Sequence, residues 1–174
     1  MTKILIETEY GAITAELYPD KAPLTVANFL RYVAAGFYQD GRFWRTVTLQ
    51  PDNQPNNAVK IEVIQAGVNP IRADEMFAPI PLERTTLTGL QHRTGALSMA
   101  RFAPDSAQGD FFICIGAQPS LDFGGDRNPD GQGFAAFGQV IDGMAVVQRI
   151  QNAACEVQTL TPPIQIRNIS LVDG

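Results

Sequence analysis

Few side chains in this sequence are of a type that attacks, deprotonates or ligates. The single histidine, His92, sits in the polar stretch GLQHRTG with no serine or cysteine motif around it. It reads as a surface histidine, and His-dependent triads and His-rich metal sites are thereby excluded. Asp126, Asn128, Asp130 and Gly131 match the first half of a calcium loop, but the position that needs a bidentate glutamate holds Phe137, so DRNPDG reads as a turn. The glycines at 124, 125, 131 and 133 lack the lysine and the strand-to-helix setting of a phosphate loop. No cofactor and no metal are expected. What remains is Arg45, flanked by aromatics in FWR, and Asp110, a carboxylate set directly against Phe111 and Phe112 in GDFFICIG. An arginine beside Phe43 and Trp44 reads first as a surface group stacked on its neighbours.

The elements that must position these residues follow from periodicity. Lys3–Glu9 and Ala12–Tyr18 are β-prone segments joined at Tyr10-Gly11, with Ile13, Ala15 and Leu17 on one face. APLTVANFLRYVAAG has Pro23 where a first helical turn tolerates it, an apolar stripe of Val26, Phe29, Leu30 and Val33, and Gly36 at its end. RFWRTVT and VKIEVIQ return to period two around the polar loop 49–58, with Arg45 in the first strand and Gln65 in the second. Residues 69–81 are proline-rich and read as loop, as do residues 118–133. AAFGQVI reads as a strand, DGMAVVQRIQN as a helix capped by Asp142 with Met144, Val146, Val147 and Ile150 inward, and IQIRNISLV as a closing strand. Many short strands with one early and one late helix predict a mainly β fold, a closed antiparallel barrel whose open ends the two helices cover.

Composition narrows the function classes. A chain of 174 residues, 45% hydrophobic and 18% charged, predicts one compact domain over residues 1–174. The net charge of -5 with no basic cluster argues against nucleic acid and anionic membrane surfaces as partners. No apolar run approaches a membrane span, and the amino terminus mixes charge into its apolar residues, unlike a secretory signal. Cys114, inside FFICIG, reads as a buried reduced thiol, and with Cys155 it makes no disulfide framework. A cytoplasmic monomer is the expectation.

Taken together, several segments resemble the cyclophilin family of peptidyl-prolyl cis-trans isomerases. PLTVANF is similar to the family's first-helix signature, and GFYQDGRFWR to the approach to its catalytic arginine. GALSMA and GDFFICIG resemble its central strands; SLDFGG and FAAFGQVIDGMAVVQRI resemble its late loop, strand and helix. The match is in order and covers nearly the whole chain. It implies an eight-stranded antiparallel barrel capped by two α-helices. It also puts Arg45 on the catalytic arginine and Gln65 on its supporting glutamine. Phe112 falls on the aromatic floor of the proline pocket, Leu121 on its aliphatic wall, and Val63 on a methionine position. Ala100 and Arg101 fall on the strand that hydrogen-bonds an extended substrate. Three rim positions depart from the pattern. Asp110 replaces a glutamine, Ser120 a tryptophan and Phe134 a frequent histidine. The missing tryptophan implies weak binding of cyclosporin.

The implied reaction needs no nucleophile. The barrier about a peptide bond, about 18–20 kcal/mol, comes from resonance, and a catalyst favours the twisted state in which the nitrogen lone pair is localised. An arginine whose fork holds the carbonyl and points at the proline nitrogen suits that task, with an apolar pocket to anchor the ring. Proline-containing polypeptides are the implied partners, and assistance to protein folding the implied role. Two alternatives stay open: a module or chaperone that binds proline segments without turning them over, and a barrel carrying a small apolar ligand. Asp110 is expected on the same face as Phe112, paired with Arg101 or Arg45 and biasing the site toward basic or polar residues upstream of proline.

Overall fold

Strict alternation builds the first hairpin. In β1 (Thr2–Thr8) Ile4 and Ile6 are buried, and in β2 (Gly11–Leu17) Ile13, Ala15 and Leu17 face them, with Ile6 opposite Ile13. The turn is tied by Thr8, whose Oγ1 donates to the Gly11 carbonyl and accepts from the Tyr10 N–H. The computed structural model describes residues 1–172, so the last two residues of the expected 1–174 domain lie outside the described residues.

Helix α1 (Pro23–Ala34) starts on the proline, as expected, and Gly36 takes a positive φ just beyond its end. Thr25, Val26, Asn28, Phe29 and Tyr32 are buried, and Leu30 and Val33 pack half-buried on the same core. The N–H groups of its first turn are not capped locally. Glu83, 58 residues on, accepts from the Thr25 N–H and from Thr25 Oγ1, each at 2.6 Å.

The remaining strands are β3 (Gly41–Val47), β4 (Val63–Gly67), β5 (Ala96–Met99), β6 (Phe111–Cys114), β7 (Ala136–Asp142), β8 (Cys155–Glu156) and β9 (Thr159–Val172). All pairings are antiparallel, in the order β1-β2-β7-β5-β6-β4-β3-β9, and β1 returns to pair with β9, Ile6 opposite Ile169. Eight strands thus close the expected barrel, and β8 is a two-residue addition to β9. Closure leaves no long edge unpaired. Inside it, Phe29 of α1 meets Phe111 edge-on at 5.3 Å, and Tyr38 meets Phe111 at 5.6 Å and 89°.

Several elements differ from expectation. Residues 59–62 precede β4 without joining it, because Gln54 takes the Ile61 carbonyl and N–H that a strand partner would use. The proline-rich stretch contains a 3₁₀ turn, Pro70–Glu75, capped by Asn69, and a single helical turn, α2 (Thr85–Thr88), follows. Asp142 does not cap the late helix α3 (Met144–Gln151); it ends β7, opposite Thr14, and Gly143 with φ of 99° makes the corner. Val147 and Ile150 are buried as expected, while Met144 and Val146 are half-buried against the core.

Candidate active site

Strands β3 and β4 set Arg45 opposite Gln65, and Arg45 Nη1 donates to Gln65 Oε1 at 3.0 Å. A bulge between Phe43 and Arg45 breaks the alternation of β3 against both neighbours. Its effect is that Trp44 and Arg45, consecutive in sequence, line the same cavity while Phe43 stays in the core. The guanidinium is also held from the other side, because Nε donates to Gln158 Oε1 at 2.9 Å. Burial pulls the Arg45 pKa down from its ordinary value.

Gln158 is in turn fixed by loop 49–58. Its Nε2 donates to the Asn53 carbonyl at 3.1 Å. Asn53 accepts from the Thr48 N–H and donates to the carbonyls of Thr46 and Val157. This loop therefore buttresses the arginine.

Asp110 meets neither Arg101 nor Arg45 directly, contrary to expectation. Its Oδ2 accepts from Trp44 Nε1 and from Gln65 Nε2, both at 3.1 Å. Gly67 makes room for it, since a Cβ there would lie 2.6 Å from Asp110 Oδ1. Burial raises the Asp110 pKa, and the bonds from Gln65 and Trp44 oppose that rise. Arg101 is engaged elsewhere: Nη1 and Nη2 reach Asp130 at 2.9 and 3.0 Å, Nε donates to the Gly133 carbonyl, and the guanidinium lies 4.8 Å over the Phe134 ring. Arg101 thus fastens the loop 122–133.

The apolar side of the cavity, of about 560 Å³, brings together Phe112, Val63 and Leu121 with Ala100, Phe134 and Ile61. Ala100 and Arg101 lie just past the end of β5, where the Ala100 N–H donates to the Asp110 carbonyl. Phe134 meets Phe112 edge-on at 5.6 Å. Glu62 turns away from the cavity to accept from Gln151 Nε2.

His92 is not a surface residue. Its side chain is wholly buried, stacked on Phe112 at 6.0 Å and 11°, and it bridges Asp122 Oδ1 (Nδ1, 2.6 Å) to Ser98 Oγ (Nε2, 2.8 Å). It forms the underside of the pocket floor. Gln158, Asn53, Ile61 and the role of His92 were missed in the sequence. Only Ile61 carried a local signal, its alternation with Val63 and Gln65.

A closed barrel holding a clamped, partly desolvated arginine beside an apolar pocket is the framework of a rotamase rather than of a hydrolase. The chain belongs to the family described as cyclophilin type peptidyl-prolyl cis-trans isomerase, whose model matches residues 3–171. It is 34% identical over 152 residues to peptidyl-prolyl cis-trans isomerase B of Escherichia coli, covering 87% of this chain and 85% of the relative. It is likewise 34% identical to a peptidyl-prolyl cis-trans isomerase of Acinetobacter baylyi, over 87% of this chain and 72% of that one. In fold it is similar to a cyclophilin type isomerase of Cryptosporidium parvum crystallised in the presence of the dipeptide Ala-Pro, with TM-score 0.77, 23% identity and 99% of each chain covered.

Proposed function

We propose that the protein catalyses cis–trans rotation about Xaa-Pro bonds of polypeptides, with Arg45 as the catalytic group and Gln65 and Gln158 as its positioning residues. The observation that carries this reading is the grip of two glutamine acceptors on one guanidinium beside Phe112. Of the five N–H donors of an arginine, two are committed to Gln158 and Gln65. The other three have no partner among the described residues and serve the substrate carbonyl and the proline nitrogen as it becomes pyramidal. Each charge-assisted bond contributes about 1.5–3 kcal/mol, whereas a hundred-thousandfold acceleration needs roughly 7 kcal/mol. The balance comes from the pocket of Phe112, Val63, Leu121 and Phe134. It anchors the ring and removes water, which stabilises the charge-separated planar amide.

Purified protein is expected to accelerate isomerisation of a proline tetrapeptide. Saturable peptide binding with no gain in rate would instead support a module that binds proline segments without turning them over. The half-buried Ser120 offers no indole to the rim, which supports weak cyclosporin binding. The unpaired, exposed thiol of Cys155 fits a reducing compartment such as the cytoplasm.

A further inference from the structure

The protein carries a net charge of -5, yet its cavity holds two arginines, Arg45 and Arg127, that have no carboxylate partner among the described residues. Arg127 belongs to the loop 122–133 and is held by one nitrogen only. Its Nη1 donates to Gln54 Oε1 at 2.8 Å and to the Val59 carbonyl at 2.6 Å. Gln54 is a rigid post, buried and bonded through Nε2 to the carbonyls of Thr48 and Ile61. The Nε and Nη2 of Arg127 have no partner among the described residues. Burial and the charge of Arg45 both pull the Arg127 pKa down, so the two cations disfavour one another.

Strand β4 orders the groove. Val59 and Ile61, beside Arg127, lead into β4 at Val63, whereas Asp110 lies at its far end, beyond the Ala66–Phe111 pair. The five residues of β4 separate the two ends by roughly 15 Å. The ends are not equivalent in charge: Asp110 is a carboxylate whose Oδ2 accepts from Trp44 and Gln65, while Arg127 is a cation with unused donors at Nε and Nη2. On the isomerase reading, on which this inference rests, the resemblance sets the substrate strand along Ala100, at the Asp110 end, which leaves the Arg127 end of the groove for the residue after the proline. We propose that Arg127 binds a carboxylate on the residue that follows the proline, so that the preferred substrates are Pro-Glu or Pro-Asp segments.

Two pentapeptides, Ala-Ala-Pro-Glu-Ala and Ala-Ala-Pro-Gln-Ala, test it by NMR exchange between their cis and trans forms. A partly exposed charge pair makes kcat/KM for the glutamate peptide about fivefold higher, with the advantage vanishing in about 1 M salt. Arg127→Gln brings the ratio near one, and Arg127→Lys, which keeps the charge, retains part of it. A ratio near one in the wild type, or a preference that survives Arg127→Gln, overturns the role of Arg127. Failure to isomerise either peptide overturns the isomerase reading instead, and the chemical shifts of bound peptide then read Glu over Gln discrimination directly, with equal binding overturning the role of Arg127.

Discussion

Gln65 stands between Arg45 and Asp110, accepting from the guanidinium through Oε1 at 3.0 Å and donating through Nε2 to the carboxylate at 3.1 Å. A free amide flips easily, but a carboxylate only accepts, so ionised Asp110 permits one orientation of Gln65. That orientation presents an acceptor to Arg45.

The pH dependence follows with a definite sign. Burial raises the folded pKa of Asp110 above its ordinary 3.8. Between the unfolded and folded values the native state holds a proton that the unfolded state has lost, so stability falls as pH rises through that window. Asp110→Asn is expected to remove this fall, seen in urea titrations from pH 3.5 upward. Catalysis runs the opposite way, with kcat rising as the carboxylate forms. The Asn variant is expected to lose that limb and about two- to fivefold in kcat at pH 7, the worth of a fraction of one charge-assisted bond.

Gln158 grips Arg45 Nε from the side opposite Gln65. Gln158→Ala is expected to lower kcat about tenfold with little change in KM, because the guanidinium loses direction rather than charge. Gln158→Glu keeps an acceptor and restores most of the rate. Asn53→Ala removes three side-chain hydrogen bonds that hold the same loop. It should reproduce the kcat loss and cost about 1–3 kcal/mol of stability in denaturant titrations.

His92 supports Phe112 from below and satisfies the buried Ser98 and the half-buried Asp122 at once. His92→Ala leaves a cavity under the ring and takes a partner from both Asp122 and Ser98. A loss of about 3 kcal/mol is expected in thermal or urea unfolding. Peptide KM should rise as the pocket floor loosens, whereas a surface histidine would move neither quantity.

The barrel was legible because it rests on local patterns, whereas the pairing of Arg45 with Gln65 was implied only by the resemblance. Alternation marked Ile13, Ala15 and Leu17, and the helical stripe marked Val26 and Phe29; periodicity placed Arg45 and Gln65 in two strands, but only the structure sets them level. The supports of the site were not legible, because each depends on a distant closure. Gln158 lies 113 residues from Arg45, and Trp44 lies 66 from Asp110. His92 was hidden by its neighbours: Gln91 and Arg93 are exposed, so one buried polar residue between them carries no hydrophobic signature. Asp110 drew attention as a carboxylate beside aromatics, but only the fold reveals that Trp44 and Gln65 both donate to its Oδ2.

The central claim is that Arg45 turns the Xaa-Pro bond. Cis–trans exchange of Ala-Ala-Pro-Phe, followed by NMR in the presence of wild type and of Arg45→Ala, tests it most directly. Two-dimensional spectra of the variant serve to establish that the barrel is intact. Loss of two of the bonds argued for Arg45 predicts at least a hundredfold lower kcat/KM with peptide binding retained. A folded Arg45→Ala protein that exchanges the peptide as fast as wild type would contradict the account.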